Sequence, residues 1–520
     1  MSRFRRVVHS AASGYVVLVV TAVYALASVP LALHYLSKKE FALWALMGSI
    51  SGYLSLIDVG MSSSVARLLI DHKDQREGGT YGGLIKTGWL VLVAQGTIVL
   101  LVGTGLAPLL ADLLAIQPAL RPQFIEVLRW QSASLALGFV LRIFSHLLHA
   151  HQRVDIINYS QIAMVGLNFL LLWWFFHLGQ GVFSLVWSAL LSSLCIGGLW
   201  WAACWRLKLF PEAGRWGRAS WHCFKEIFDY GKDMFLVAVG GQLVLASQTM
   251  IVTRRLGEEA ATDWNIGTRA FNLLCQAVWR IFDFSVPAFS EMIVRGERAL
   301  LRERYQAVVV VTASVSGVAA IIFALCNSLF VSVWTQGNGR VYWPPGNDLL
   351  LGAWMVVLAG VHCHNGLTLL TKRVGFTRYI YFVEGIVFVS AALLVVQRGG
   401  MPALILCSVI CSTLFSGAYG VWRASRYFDL PLKEVGLRWL FPMARVMVLV
   451  VPVALAGWWL VKSVGSASVR LAVHALLGGS LGGYLLLRFG LPRPFQQELV
   501  RRAPRPINVL LRRVFPGATT

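Results

Sequence analysis

Hydrophobic positions in this chain run together in long blocks instead of alternating. Fourteen apolar segments stand out, at roughly 11–36, 41–69, 84–114, 124–150, 156–178, 181–203, 233–254, 262–288, 305–333, 348–371, 376–397, 401–422, 439–462 and 468–488. Each can cross a hydrocarbon core ~30 Å thick as a helix, the form that satisfies its own backbone polar groups in lipid. The connections are short, and the longest break is the basic stretch Trp205–Lys232. One segment departs from the pattern. Between Trp264 and Phe284, the residues Asn265, Arg269, Asn272, Gln276, Arg280 and Asp283 recur every three or four positions. On one continuous helix they fall within an arc of roughly 80°. The other faces carry Trp264, Phe271, Val278 and Phe282. Arginines facing lipid are costly, so this stripe predicts a face turned to protein or to a wet, cationic path for a polar and anionic solute.

Composition agrees with a membrane chain. Of 520 residues 57% are hydrophobic and only 13% charged, about half the charged share of soluble domains. The prediction is an all-α, polytopic integral membrane protein of about fourteen transmembrane helices. The net charge of +22 invites a nucleic-acid reading, which its distribution removes. With the N-terminus inside, 31 basic residues fall in inner segments and nine in outer ones. That asymmetry is what membrane topology produces, and it places both termini in the cytoplasm. The start imitates a signal peptide, with Arg3, Arg5, Arg6 and a small-residue site at Ala25-Leu26-Ala27. The apolar run continues past that site, so a retained first span is expected.

A faint repeat organises the spans. Leu26-Ala27-Ser28 matches Leu245-Ala246-Ser247, Trp44 matches Trp264, and Ile57-Asp58-Val59 falls near Phe282-Asp283-Phe284. Six spans separate the copies, which makes them parallel repeats with the path expected at their interface. The predicted organisation is a six-helix bundle over 1–204, a cytoplasmic linker over 205–232 and a second, pseudo-symmetric six-helix bundle over 233–422. Two additional helices over 423–488 and a basic cytoplasmic tail over 489–520 complete it. Gly478, Gly479, Gly482 and Gly483 in the last span suit close helix packing.

Candidate chemistry concentrates in a few polar residues at depth. Span 4 carries a second one-sided row of Gln131, Arg142, His146, His149 and Arg153, and span 2 a third of Ser51, Ser55, Asp58 and Ser62. Arg142, Arg269 and Arg280 are either static partners of Asp58, Asp283, Glu291 or Glu384, or a guanidinium cluster suited to phosphate. Asp58 and Glu384 could each pair with an arginine or carry a coupling proton. His362, His364 and Asn365 on span 10 offer a proton relay or hydrogen bonds between helices. The eight cysteines include no CxxC pair, and His362-Cys363-His364 lacks a fourth ligand; they read as small apolar core residues. No phosphate-binding glycine loop and no hydrophilic domain supports catalysis. Of the outer acidic residues Glu40, Glu258, Glu259 and Asp348, only the adjacent Glu258-Glu259 forms a pair, and such a pair reads as a solvated face.

The stretch Phe41-Ala-Leu-Trp44-Ala-Leu-Met-Gly-Ser-Ile50, then Tyr53-Leu-Ser-Leu-Ile-Asp58-Val-Gly60 and Arg67, resembles the second helix of bacterial polysaccharide flippases. These belong to the multidrug/oligosaccharidyl-lipid/polysaccharide exporter superfamily. The renewed start ending Val286-Pro287-Ala-Phe-Ser290-Glu291 is similar to that family too. One departure is Ser247-Gln248, where many relatives carry a carboxylate early in span 7.

The resemblance implies a V-shaped pair of bundles working by alternating access in the cell inner membrane. It also implies a polyprenyl-pyrophosphate-linked oligosaccharide as substrate, of the O-antigen, lipopolysaccharide or exopolysaccharide kind. It would place Arg142, Arg269 and Arg280 on the headgroup, Asn272 and Gln276 on sugar or water, and Asp58, Asp283, Glu384 and His362 in gating or coupling. The expected partners are the lipid-linked oligosaccharide and membrane lipids, with polysaccharide assembly proteins as further candidates. The chain is expected to act as a monomer, without a cofactor beyond a proton or sodium coupling ion. A cation-coupled drug exporter on the same fold is the alternative and needs an anionic cavity. A polymerase or ligase needs a large outer loop, and the longest here spans only about Trp334–Asn347.

Overall fold

The computed structural model describes residues 3–73, 79–151, 153–335, 341–371, 375–502 and 514–515, and of these some side chains, including 3–15, are not described. The fold is helical, with no strand among the described residues. It divides into two compact units, Met1–Thr262 and Asp263–Thr520. Most of the basic tail expected over 489–520 lies outside the described residues.

The first unit holds α1 (Arg3–Tyr35), α2 (Lys38–Leu54), α3 (Met61–His72), α4 (Thr80–Leu113), α5 (Arg121–Ala150), α6 (Val154–His177) and α7 (Phe183–Arg206). After the basic break come α8 (Trp221–Leu245) and α9 (Ser247–Leu256), and α10 (Glu258–Gly267) runs across the division between units. Helix α5 packs along α4 and α7, and α6 packs against α1 and α7. Ser37 caps α2 in a reciprocal arrangement with Glu40, satisfying two backbone donors that the helix start would otherwise leave free.

The second unit contains α11 (Arg269–Asp283), α12 (Val286–Val294), α13 (Arg298–Trp334), α14 (Pro345–Leu370), α15 (Thr377–Ser412), α16 (Ala418–Phe428), α17 (Leu432–Val461), α18 (Ala467–Gly490) and α19 (Arg493–Arg502). Helix α13 is its axis, packed against α11, α14, α17 and α18. One end is filled by Phe282, Phe289, Tyr305, Cys363, Phe428 and Trp439.

Among the described residues, twelve helices are long and apolar enough to cross a membrane. The difference from fourteen expected segments lies at two places. Segments 376–397 and 401–422 follow one another within a single 52-residue stretch, Thr377–Phe428, in which non-helical backbone at Gly400, with φ of 59°, divides two helices at the expected boundary. That left-handed conformation is open to glycine at little cost. The striped segment 262–288 is not one helix: it is divided into α10, α11 and α12. Similarly, 41–69 breaks into α2, a 3₁₀ turn over Ser55–Asp58, and α3, with Val59 and Gly60 both left-handed. The eight cysteines form no disulfide.

Candidate functional site

Helix α11 carries the polar stripe. Its apolar face, Phe271, Cys275, Val278 and Phe282, is buried at spacings of four, three and four residues. The opposite face leaves Asn272, Gln276 and Arg280 exposed, each one helical turn from the next. Arg280 has no hydrogen-bonding or ionic partner among the described residues, whereas Arg269 is half-buried and engaged. Continuity fails at Gly267 and Thr268. The Trp343 ring occupies the space that a side chain at 267 would need. The carbonyl freed there accepts from Asn327 Nδ2 at 3.0 Å. Asn327 also donates to Asp348 Oδ1 at 2.6 Å, and the Trp343 indole donates to the same oxygen at 2.7 Å. Asn265 therefore belongs to α10, apart from the five stripe residues of α11.

Asp348 is fully buried in this node. Glu258, expected with Glu259 on a solvated face, is corrected: it is buried, and its carboxylate accepts from the Gln117 backbone at 2.9 Å. Sequence spacing missed both because a carboxylate near a span end looks alike whether it meets water or a buried donor. The signal for Asp348 was its neighbourhood, Trp343-Pro-Pro-Gly-Asn-Asp348, which supplies an indole donor and a helix start.

Asp283 closes α11. Its Oδ1 lies 2.9 Å from His362 Nε2 on α14. The imidazole stacks on Trp279 with centroids 5.0 Å apart and planes within 8°. Phe282 meets the same ring edge-on. This approach requires Gly366, since the Phe282 ring fills the space a larger residue there would take. The expected residues Asp283 and His362 are thus brought together. His364 turns to another neighbour: buried, it shares a 2.8 Å hydrogen bond with Tyr305 and stacks on Trp439. A relay through both histidines finds no support in these contacts.

Asp58 occupies the corresponding place in the first unit, but it is not part of a one-sided helical row. It ends the 3₁₀ turn, and its Oδ1 accepts from the Ser62 backbone at 3.0 Å and the Ser62 hydroxyl at 2.6 Å. Ser62 is the second residue of α3, so the carboxylate satisfies a free donor at a helix start. Gln95 of α4 donates to the backbone carbonyls of Ile57 and Asp58, at 3.1 and 2.8 Å. Arg142 Nη1 lies 3.1 Å from Ser62 Oγ and 3.8 Å from Asp58 Oδ2, with its guanidinium over Phe139. Gln131 extends the contact along α5 by donating to Ser51. Gln95 was missed by sequence reasoning because its role follows from the break, which an unbroken-helix reading hides.

Glu384 joins neither site. It is buried between α15 and a π-helical turn over Thr413–Gly417, where it accepts from the Ser416 backbone at 3.1 Å. Among the described residues, no cluster of three or more His, Cys, Asp or Glu could hold a metal ion.

Comparison with known proteins follows from this geometry. The family model described as polysaccharide biosynthesis protein matches residues 13–336. No curated protein sequence matches. Among solved structures, the chain is similar to an inward-facing multidrug resistance MATE family transporter of the MOP superfamily, with a TM-score of 0.68 at 13% identity. That match covers 78% of this chain and 95% of the other. It is also similar to the lipid II flippase MurJ in an inward closed conformation, with a TM-score of 0.64 at 9% identity, covering 92% and 98%. At such identities the likeness concerns the fold.

Proposed function

The chain belongs to the polysaccharide biosynthesis protein family, and we propose that it is a flippase for a polyprenyl-pyrophosphate-linked oligosaccharide. It carries the substrate from the cytoplasmic to the outer leaflet of the inner membrane by alternating access, with both termini in the cytoplasm. The observation that carries this reading is the exposed row Asn272, Gln276 and Arg280 on a helix whose other face is buried aromatic and apolar core. A guanidinium without an acidic partner, on a helix among membrane-crossing ones, is costly unless it meets water or an anion. A pyrophosphate supplies that anion in a geometry guanidinium grips with two parallel hydrogen bonds. Amide side chains one turn away on either side suit sugar hydroxyls.

Arg269 and Arg280 are assigned to the headgroup, Asn272 and Gln276 to sugar or water. Arg142 is assigned to the headgroup through the opening of its long, 3.8 Å contact with Asp58. Asp283 and His362 are assigned to gating, with a proton the simplest coupling ion because histidine becomes ionic on protonation. A drug exporter for cations has the weaker case, since the carboxylate of α11, Asp283, is engaged by His362 while Arg280 is exposed on the polar face.

The test is complementation of a strain lacking its own flippase. Arg280→Ala and Arg269→Ala should abolish export of lipid-linked sugar while the protein still inserts and accumulates. Full export by both single variants and by the double variant would remove the headgroup role.

A further inference from the structure

A second cationic feature lies away from α11's polar row. A groove of about 950 Å³ opens among the α11–α12 turn, the start of α13, α17 and the α18–α19 junction. Its lining is largely apolar and aromatic, with Phe441, Phe489 and Phe495 prominent, and it carries three arginines, Arg304, Arg438 and Arg445, against one carboxylate, Glu303. Arg438 is held by Glu434 at 2.9 Å. Arg304 and Arg445 have no carboxylate partner among the described residues. The Arg445 guanidinium lies over the Phe489 ring at 5.0 Å, and Arg488 approaches the same ring at 5.9 Å.

Arg445 is the anomaly. It sits 13 residues into a 30-residue helix that is long and apolar enough to cross a membrane, and it is exposed. The apolar segment begins at about 439, so Arg445 lies six residues, roughly 9 Å, inside it, and there an unpaired guanidinium is stable only beside an anion or water.

We propose that this groove binds an anionic phospholipid of the surrounding leaflet, its phosphate between Arg304 and Arg445 and its acyl chains along Phe441 and Phe489. Basic pockets between membrane helices recognise such headgroups through charge, and apolar walls hold the chains. An oligosaccharide headgroup is a poor occupant. Sugar hydroxyls need several convergent hydrogen-bonding side chains, and beyond the charged residues the lining offers Ser285 and Gln306. The site is therefore distinct from the substrate face proposed on α11, and it rests on the membrane placement alone.

Native mass spectrometry of the purified full chain tests this directly, titrating phosphatidylglycerol and phosphatidylcholine in separate arms. Phosphatidylglycerol should bind at least about tenfold more tightly than phosphatidylcholine, and Arg304→Gln with Arg445→Gln should erase roughly that factor. The matching Lys pair should keep most of it. Arg280→Ala should leave phospholipid binding unchanged, which separates this site from the transport reading. Equal binding of the two phospholipids by the unaltered protein would overturn the proposal, and that comparison decides the matter even if the double variant misfolds. Retention of phosphatidylglycerol by a folded double Gln variant would also overturn it. Displacement of phosphatidylglycerol by lower concentrations of a polyprenyl phosphate would reassign the groove to the substrate lipid.

Discussion

Asp58 and Asp283 sit at matching points of the two units, yet they are held in opposite ways. Each ends a helical segment and is followed by a two-residue break and a short helix, α3 or α12. Each faces a basic side chain on the second long helix that follows, Arg142 on α5 or His362 on α14, and those two lie 220 residues apart in sequence, the spacing of Trp44 and Trp264. The difference is in the backbone. Asp58 accepts a backbone hydrogen from the start of α3, where the helix dipole favours a negative charge. Asp283 closes α11, the end that disfavours one, and its only side-chain partner among the described residues is His362. One carboxylate secures a chain break. The other is held by a single side-chain contact.

This contrast can be broken in order of expected effect. Gly366→Leu forces a side chain into the space of Phe282 and should cost about 3 kcal/mol, the upper range for overpacking, read as a lower unfolding midpoint of the purified protein. Asp58→Ala removes three hydrogen bonds and an ionic neighbour and should cost ~2 kcal/mol, whereas Asp283→Ala should cost less than about 1 kcal/mol while impairing export more. Equal destabilisation by the two would collapse the distinction between a carboxylate that secures a chain break and one held by a single contact. Gln95→Leu leaves two carbonyls at the break without their donor and should cost ~1.5 kcal/mol. Trp279→Leu removes the stack beneath His362 and should cost roughly 1 kcal/mol. It should also loosen the Asp283 contact, seen as a smaller coupling energy in an Asp283→Asn/His362→Gln double-mutant cycle on the Trp279→Leu background. An unchanged coupling energy would mean the stack does not hold the imidazole.

Much of this was legible in the chain. Length and apolarity located the membrane helices, and the spacing of Phe271, Val278 and Phe282 against Asn272, Gln276 and Arg280 gave the two faces of α11 correctly. The breaks were not read. Asp58-Val59-Gly60 is a turn signal, but inside an apolar run hydrophobicity outweighs it. At Gly267 the decisive partner, Trp343, is far along the sequence, and no local pattern announces it. Arg445 was passed over because one arginine barely alters the apolarity of a thirty-residue run. Pairing of Asp283 with His362 follows from helix packing, which periodicity on either helix alone does not determine.

The π turn at Thr413–Gly417 has a consequence of its own. Such a turn is an α-helix carrying one additional residue. The widened turn absorbs that residue, so the helix on either side keeps the facing it would have around an ordinary turn. Ala424 and Phe428 thereby stay in the core they share with Tyr305 and Trp439. What the extra residue changes is local: the Ser416 backbone hydrogen is turned out of its own helix and given to Glu384. Deleting one residue of the turn should leave the core facing intact and take that donor away from the buried carboxylate.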